Sequence, residues 1–217
     1  MGRAVRIRKI TLPAAATFCL LFGIHNFAAA APITLFEDGF ENETATGSTL
    51  NYASFVNWDV VDGAVDLVRT PSFSIDCVGS TGWCVDLDGT TDTAGRLESK
   101  SVFALTPGLI YTLTFDISGN QRVPGTDSVT FGLIADMNEV FSDLVTKSAA
   151  DPFETISRQI SVSSSSNVRL FFDHAGGDQI GLILDNVQLT AVPLPQAAFL
   201  FPAGLIAGLA WIRRKAG

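Results

Sequence analysis

Apolar and polar residues alternate with period two through the middle of the chain. Tyr111, Leu113, Phe115 and Ile117 alternate with Thr112, Thr114 and Asp116, and Val129, Phe131 and Leu133 repeat the pattern. An extended chain sends successive side chains to opposite faces, so these segments are expected as half-buried strands. Further candidate strands are Trp58–Val61, Ala64–Val68, Trp83–Leu87, Arg96–Leu105, Ile156–Val162, Val168–Phe172 and Ile180–Leu189. Turn formers separate them, as in Thr106-Pro107-Gly108 and Ala175-Gly176-Gly177-Asp178. About nine short strands punctuated in this way predict an all-β, antiparallel β-sandwich. Asp136–Ala150 breaks the alternation, since Val140, Phe141, Leu144 and Val145 suit a short helix face as well as a strand. It is expected as a loop with local structure, and Ser163–Ser166 as a polar turn.

The two ends follow other patterns. Met1–Lys9 carries four cations, Ile10–Phe27 is mainly apolar, and Ala28-Ala29-Ala30-Ala31 follows. These are the three regions of a secretory signal, so residues 1–30 are expected as a signal helix removed after Ala30, which avoids Pro32 directly after the scissile bond. A retained anchor is the alternative. At the other end Val192-Pro193-Leu194-Pro195 precedes an apolar run from Ala197 to Ile212, then Arg213-Arg214-Lys215. At the helical rise that run covers about 24 Å, close to the ~30 Å hydrocarbon core, so residues 192–217 are expected to hold a marginal transmembrane helix with its cations on the cytoplasmic side. Residues 31–191 then form one domain of ordinary size.

Charge sharpens this division. The chain has 14 basic and 22 acidic residues, a net −8. Seven of the cations lie in the tails and every acid lies between them, so the middle carries −15. Such a surface repels phosphate backbones, and nucleic acid is excluded as a partner. Cys19 falls in the signal, leaving Cys77 and Cys84 in Cys-Val-Gly-Ser-Thr-Gly-Trp-Cys. Outside the cytoplasm two such cysteines suggest one disulfide, the alternative being two independent buried thiols.

The Pro motif, the pieces Phe199-Leu200-Phe201, Gly204-Leu205 and Gly208-Leu209, and the closing Arg213-Arg214-Lys215 resemble the PEP-CTERM sorting signal of Gram-negative bacteria in its Val-Pro-Leu-Pro variant. Pro202 departs from the glycine-rich pattern, though membrane helices tolerate proline. The resemblance implies an exosortase-type membrane protease and transpeptidase as partner, transient inner-membrane anchoring, a final location at the cell surface or outside the cell, and an association with exopolysaccharide or biofilm.

The middle resembles, more loosely, the jelly-roll domains of such proteins and galactose-binding-like carbohydrate-binding modules. The matching pieces are Asp38-Gly39-Phe40-Glu41, Trp58-Asp59-Val60, Gly63 to Val68, Val85-Asp86-Leu87-Asp88-Gly89, Pro107-Gly108 with Tyr111 to Phe115, and Leu184-Asp185-Asn186-Val187-Gln188-Leu189. This likeness implies a jelly roll, a polysaccharide ligand, and a structural calcium held between the first and last strands at Glu41 and Asp185. No cofactor is required.

Asp185 stands out on its own terms. Ile183, Asp185, Val187 and Leu189 share a face by alternation, which would turn an acid inward, where it needs a partner. Calcium is one partner, with backbone oxygens completing a shell of six to eight. Alternatively Leu182 and Leu184 face inward, and a bulge at Asp185-Asn186 restores the phase while the acid accepts backbone N–H groups. Asp173 and Asp178, flanking the glycine turn, are a lesser metal candidate, with ordinary turn chemistry the default explanation. Trp58, Trp83 and Tyr52 are candidate sugar platforms, with core packing the default for Trp58 and contact with the disulfide a further option for Trp83. His174, the one histidine after the signal, lies beside a glycine turn outside any nucleophile motif and is expected to be solvated. The chain is therefore expected to be an exported, non-catalytic surface or matrix protein. The rivals are a polysaccharide-binding module and, less favoured, a secreted hydrolase with two facing carboxylates.

Overall fold

The structure, a computed structural model, describes residues 31–193 apart from Asp92. Alternation becomes two antiparallel sheets packed face to face. The first runs β10 (Glu154–Ile160), β7 (Leu109–Ser118), β12 (Ile183–Pro193), β4 (Trp83–Asp86), β3 (Asp66–Arg69), with β1 (Ile33–Asp38) on the far half of β12. The second runs β2 (Trp58–Asp62), β5 (Arg96–Ser99), β11 (Ser166–Ala175), β8 (Thr126–Ala135), β9 (Asn138–Ser148), with β6 (Phe103–Leu105) on β11. The expected two-sheet sandwich is present, and no α-helix occurs among the described residues.

Inward positions of both sheets form one core. Tyr111, Leu113, Phe115 and Ile117 from β7 meet Val129, Phe131 and Leu133 from β8 and Leu170 and Phe172 from β11. Phe115 lies edge-on to Phe131 at 4.7 Å and to Phe172 at 5.0 Å between ring centroids, the geometry that ring quadrupoles favour. Trp58 sits at the centre, and its indole Nε1–H donates to the buried Asp38 carboxylate at 2.8 Å. A smaller apolar cluster of Val68, Ile75, Cys77, Cys84 and Ile183 lies at one end, with Phe153 packed against it.

Three expectations are corrected. Asp136–Ala150 is not a loop, because β9 pairs along the whole of β8. Its apolar spacing looked helical because an edge strand exposes part of its apolar surface: Phe141 and Val145 point to the core, while Val140 and Leu144 face solvent. Arg96–Leu105 is two strands, β5 and β6, interrupted at Lys100–Val102. β1 is a strand that the alternation does not predict, since only Phe36 and Asp38 of its six residues are buried.

The last strand decides the Asp185 alternative. Its register shifts between Asp185 and Gln188, Asn186 takes a left-handed φ of 48°, and Leu184, Val187 and Leu189 all reach the core. The bulge, not strict alternation, sets the phase. β12 continues through Val192 and Pro193, opposite Ile110 and Leu109. The Pro motif therefore begins inside the sheet, while Leu194, Pro195, Arg213, Arg214, Lys215 and the cleavage position Ala30 lie outside the described residues. Among the described residues no helix is long and apolar enough to cross a membrane.

Candidate functional site

Three connections meet at one end of the sandwich and enclose a groove: the β3–β4 segment 70–82, the β7–β8 segment 119–125 and the β9–β10 segment 149–153. Adjoining depressions share Gln121, Ala149 and Ala150 on one side and Asp151, Pro152 and Phe153 on the other, so they border one another around these segments. Main-chain bonds fix the second and third segments to each other. Gly119 N–H donates to Asp151 O at 3.0 Å, Gln121 N–H to Ala149 O at 3.0 Å, and Ala149 N–H to Gly125 O at 3.1 Å. A Cβ on Gly119 would lie 1.9 Å from Ser148 O, so only glycine permits this approach.

Gln121 ties the remaining wall. Its Oε1 accepts from Asp76 N–H and its Nε2 donates to Asp76 O, both at 2.9 Å, from a left-handed backbone with φ 60°. The Cys77–Cys84 disulfide, Cα–Cα 5.5 Å, closes the same hairpin. Cys77 lines the groove, and half-buried Phe153 rests on the disulfide's cluster while turning its remaining surface to the groove. Apolar floor and polar walls are the mixture that holds a sugar, whose ring has a C–H face and hydroxyl edges.

Two cations border the groove and both are engaged. Arg122 pairs with the fully buried Asp86, and Lys147 with Glu154. Burial pushes the Asp86 carboxyl up to about 7 against the pull of Arg122 and the N–H groups of Asp88 and Gly181.

None of the aromatic candidates reaches this groove. Trp58 is fully buried among Phe36, Phe40 and Phe172, leaving no face for a sugar. Trp83 is 7% exposed, belongs to the main core and not to the disulfide's cluster, and carries the Arg69 guanidinium 5.5 Å above its ring. Tyr52 is buried against Phe55, its hydroxyl on Glu43. Sequence reasoning missed Gln121, Arg122 and Phe153, because nothing in a turn's composition says which other turn it will meet. The available signal was Asp-Pro-Phe, an aromatic residue in a turn flanked by strands.

His174 is not solvated. It is 5% exposed, its Nε2 accepts from Leu182 N–H at 3.2 Å, and burial lowers its pKa from the ordinary value. With that lone pair occupied, His174 does not serve a nucleophile as base. The Asp173 carboxylate holds Arg96 at 2.6 Å, while Asp178 enters the turn through its backbone N–H, which donates to Asp88 at 3.1 Å.

The structure brings Glu41 and Asp185 into electrostatic reach of each other. Asp185 accepts from Asn186 N–H at 2.7 Å and Val78 N–H at 3.2 Å, and Glu41 from Trp83 N–H at 3.0 Å. Burial raises the Asp185 carboxyl to about 7, and Asp116 and Glu41 add to the shift. Hard oxygens around a buried acid suit Ca²⁺ in donor type. Among the described residues no group of three or more His, Cys, Asp or Glu is arranged for a metal, so backbone and water would supply most of the shell.

A two-sheet antiparallel sandwich with a groove between its cross-linked end loops is the class of domain these observations define. No protein-family profile matches the chain, and no curated protein matches it. Among solved structures it is similar to the CBM22-1–GH10 modules of xylanase 10B from Clostridium thermocellum, complexed with xylohexaose, at 18% identity and TM-score 0.44 over 72% of this chain and 28% of that one. It is similar also to the CBM22-1 xylan-binding domain of Paenibacillus barcinonensis Xyn10C, at 13% identity and TM-score 0.44 over 77% and 99%. The K3 adhesin domain of Lys-gingipain from Porphyromonas gingivalis gives 14% identity and TM-score 0.44 over 74% and 99%. The chain thus spans less than a third of the clostridial structure.

Proposed function

We propose that this is an exported, non-catalytic polysaccharide-binding protein of jelly-roll type that takes its ligand in the groove between the end loops. The supporting observation is the groove itself, with the Phe153 ring and a disulfide beneath it and Gln121, Asp76, Asp151 and Ser118 around it. The tails support the route: a signal before the domain, and a Val-Pro-Leu-Pro motif, apolar run and basic end after it, handled by an exosortase-type protease with delivery to the surface or matrix.

Retention of the purified full-length chain on insoluble polysaccharides tests the binding. Wild type is retained on at least one of them, and Phe153→Ala is not. Equal retention of the variant, or no retention of wild type on any, removes the reading. The intact mass of protein recovered from the native host tests the route, because it reports both expected cleavages together. A structural Ca²⁺ between Glu41 and Asp185 belongs to the same proposal: millimolar CaCl₂ then raises the Tm of wild type and leaves Asp185→Asn unmoved. An unchanged wild-type Tm takes the ion out of the account.

A further inference from the structure

We infer that the groove accepts an uncharged polysaccharide and rejects chains bearing carboxylate or sulfate, a conclusion that rests on the polysaccharide-binding reading above. Anionic sugars are ordinarily held by free Arg or Lys, best by a guanidinium offering two parallel donors. Here the two cations at the groove are already spent. Arg122 is turned toward Asp86, with 19% of its side chain exposed, and Lys147 toward Glu154, with 10% exposed.

The acids are in the opposite condition. Asp76 is exposed at the groove and Asp151 half-exposed, and neither has an ion-pair partner among the described residues. Asp151 Oδ2 accepts from Ser148 N–H at 2.7 Å, which fixes its direction and leaves its other oxygen for a ligand. Glu154, 62% exposed although paired with Lys147, stands at the far end. A uronate or sulfate entering the groove meets these carboxylates, no unpaired cation, and a domain whose whole charge is −15. Sugar hydroxyls instead donate to the same carboxylates in charge-assisted bonds, stronger than neutral ones, while the C–H face packs on Phe153.

A polycation would be drawn to the same field. That attraction acts through solvent and fades once salt shortens the Debye length, whereas contact with Phe153 and short hydrogen bonds persists. Salt therefore separates the two.

The test is affinity electrophoresis of the full-length chain through native gels cast with uncharged galactomannan, alginate or quaternised, permanently cationic chitosan, buffered at about pH 8.5 so that Asp86 is ionised against Arg122, at low and at high salt. The expected result is retardation by galactomannan at both salt levels, none by alginate, and any by chitosan confined to low salt. Asp76→Lys, on a side chain that holds no part of the fold together, is expected to introduce alginate retardation at low salt through an affinity gain of about tenfold, about 1.4 kcal/mol. Retardation by alginate as strong as by galactomannan, or by chitosan alone at high salt, overturns the charge inference and leaves the polysaccharide reading standing. No retardation by any of the three defeats both.

Discussion

Asp38 shows what a single buried carboxylate does in this domain. It accepts from Trp58 Nε1–H at 2.8 Å and from Phe40 N–H at 2.9 Å, so it fixes the largest core side chain and the turn after β1 together. Asp38→Ala strands both donors, and a loss of about 2 to 6 kcal/mol is expected in urea unfolding, at ~1 to 3 kcal/mol per buried donor left unmade. A loss below a few tenths would contradict this role. Asp86 carries a pH prediction. Its folded-state pKa, raised to about 7, exceeds the unfolded value, so the folded state binds the extra proton between about pH 4 and pH 7. Its contribution to stability is therefore fullest below that window and is lost as pH rises through about 7. His174, lowered by burial, contributes with the opposite sign, so the comparison must isolate Asp86: wild type loses Tm relative to Asp86→Asn as pH rises across the window. Parallel Tm–pH curves would contradict it. At this scale Asp185 was legible as a buried acid needing partners. Which face it took was not, because a bulge at Asn186 is a tertiary choice that a period-two pattern does not encode.

At the scale of elements, strands buried on one face were readable and edges were not. β7 and β8 declared themselves by strict alternation. β9 hid because Leu144, 55% exposed, and Val140, 37% exposed, put apolar residues on its solvent face. The connections hold the groove, and two of them can be broken selectively. Replacing both cysteines by serine is expected to cost about 2.5 kcal/mol, the loop-closure value for so short a ring, and to weaken ligand binding, since Cys77 and Phe153 share one cluster. Gly119→Ala drives a Cβ into Ser148 O and must separate the two loop segments. A loss of ~1 to 3 kcal/mol is expected, as for other overpacked sites, and binding should fall with it. Unchanged unfolding midpoints in either variant would show that the groove's frame is held by other means.

At the scale of the whole molecule, an acidic sandwich lies between two cationic, apolar tails. The fold class and the partition of charge were visible in composition and pattern. The groove was not, because it exists only where three connections distant in sequence converge. That convergence has a direct readout in amide hydrogen exchange of the full-length chain with and without a bound uncharged oligosaccharide. Slowed exchange confined to segments 76–80, 119–125 and 148–153 is the predicted outcome. Protection on the outer face of the other sheet, around Arg96 and Phe171, with the end loops unchanged, would contradict the account.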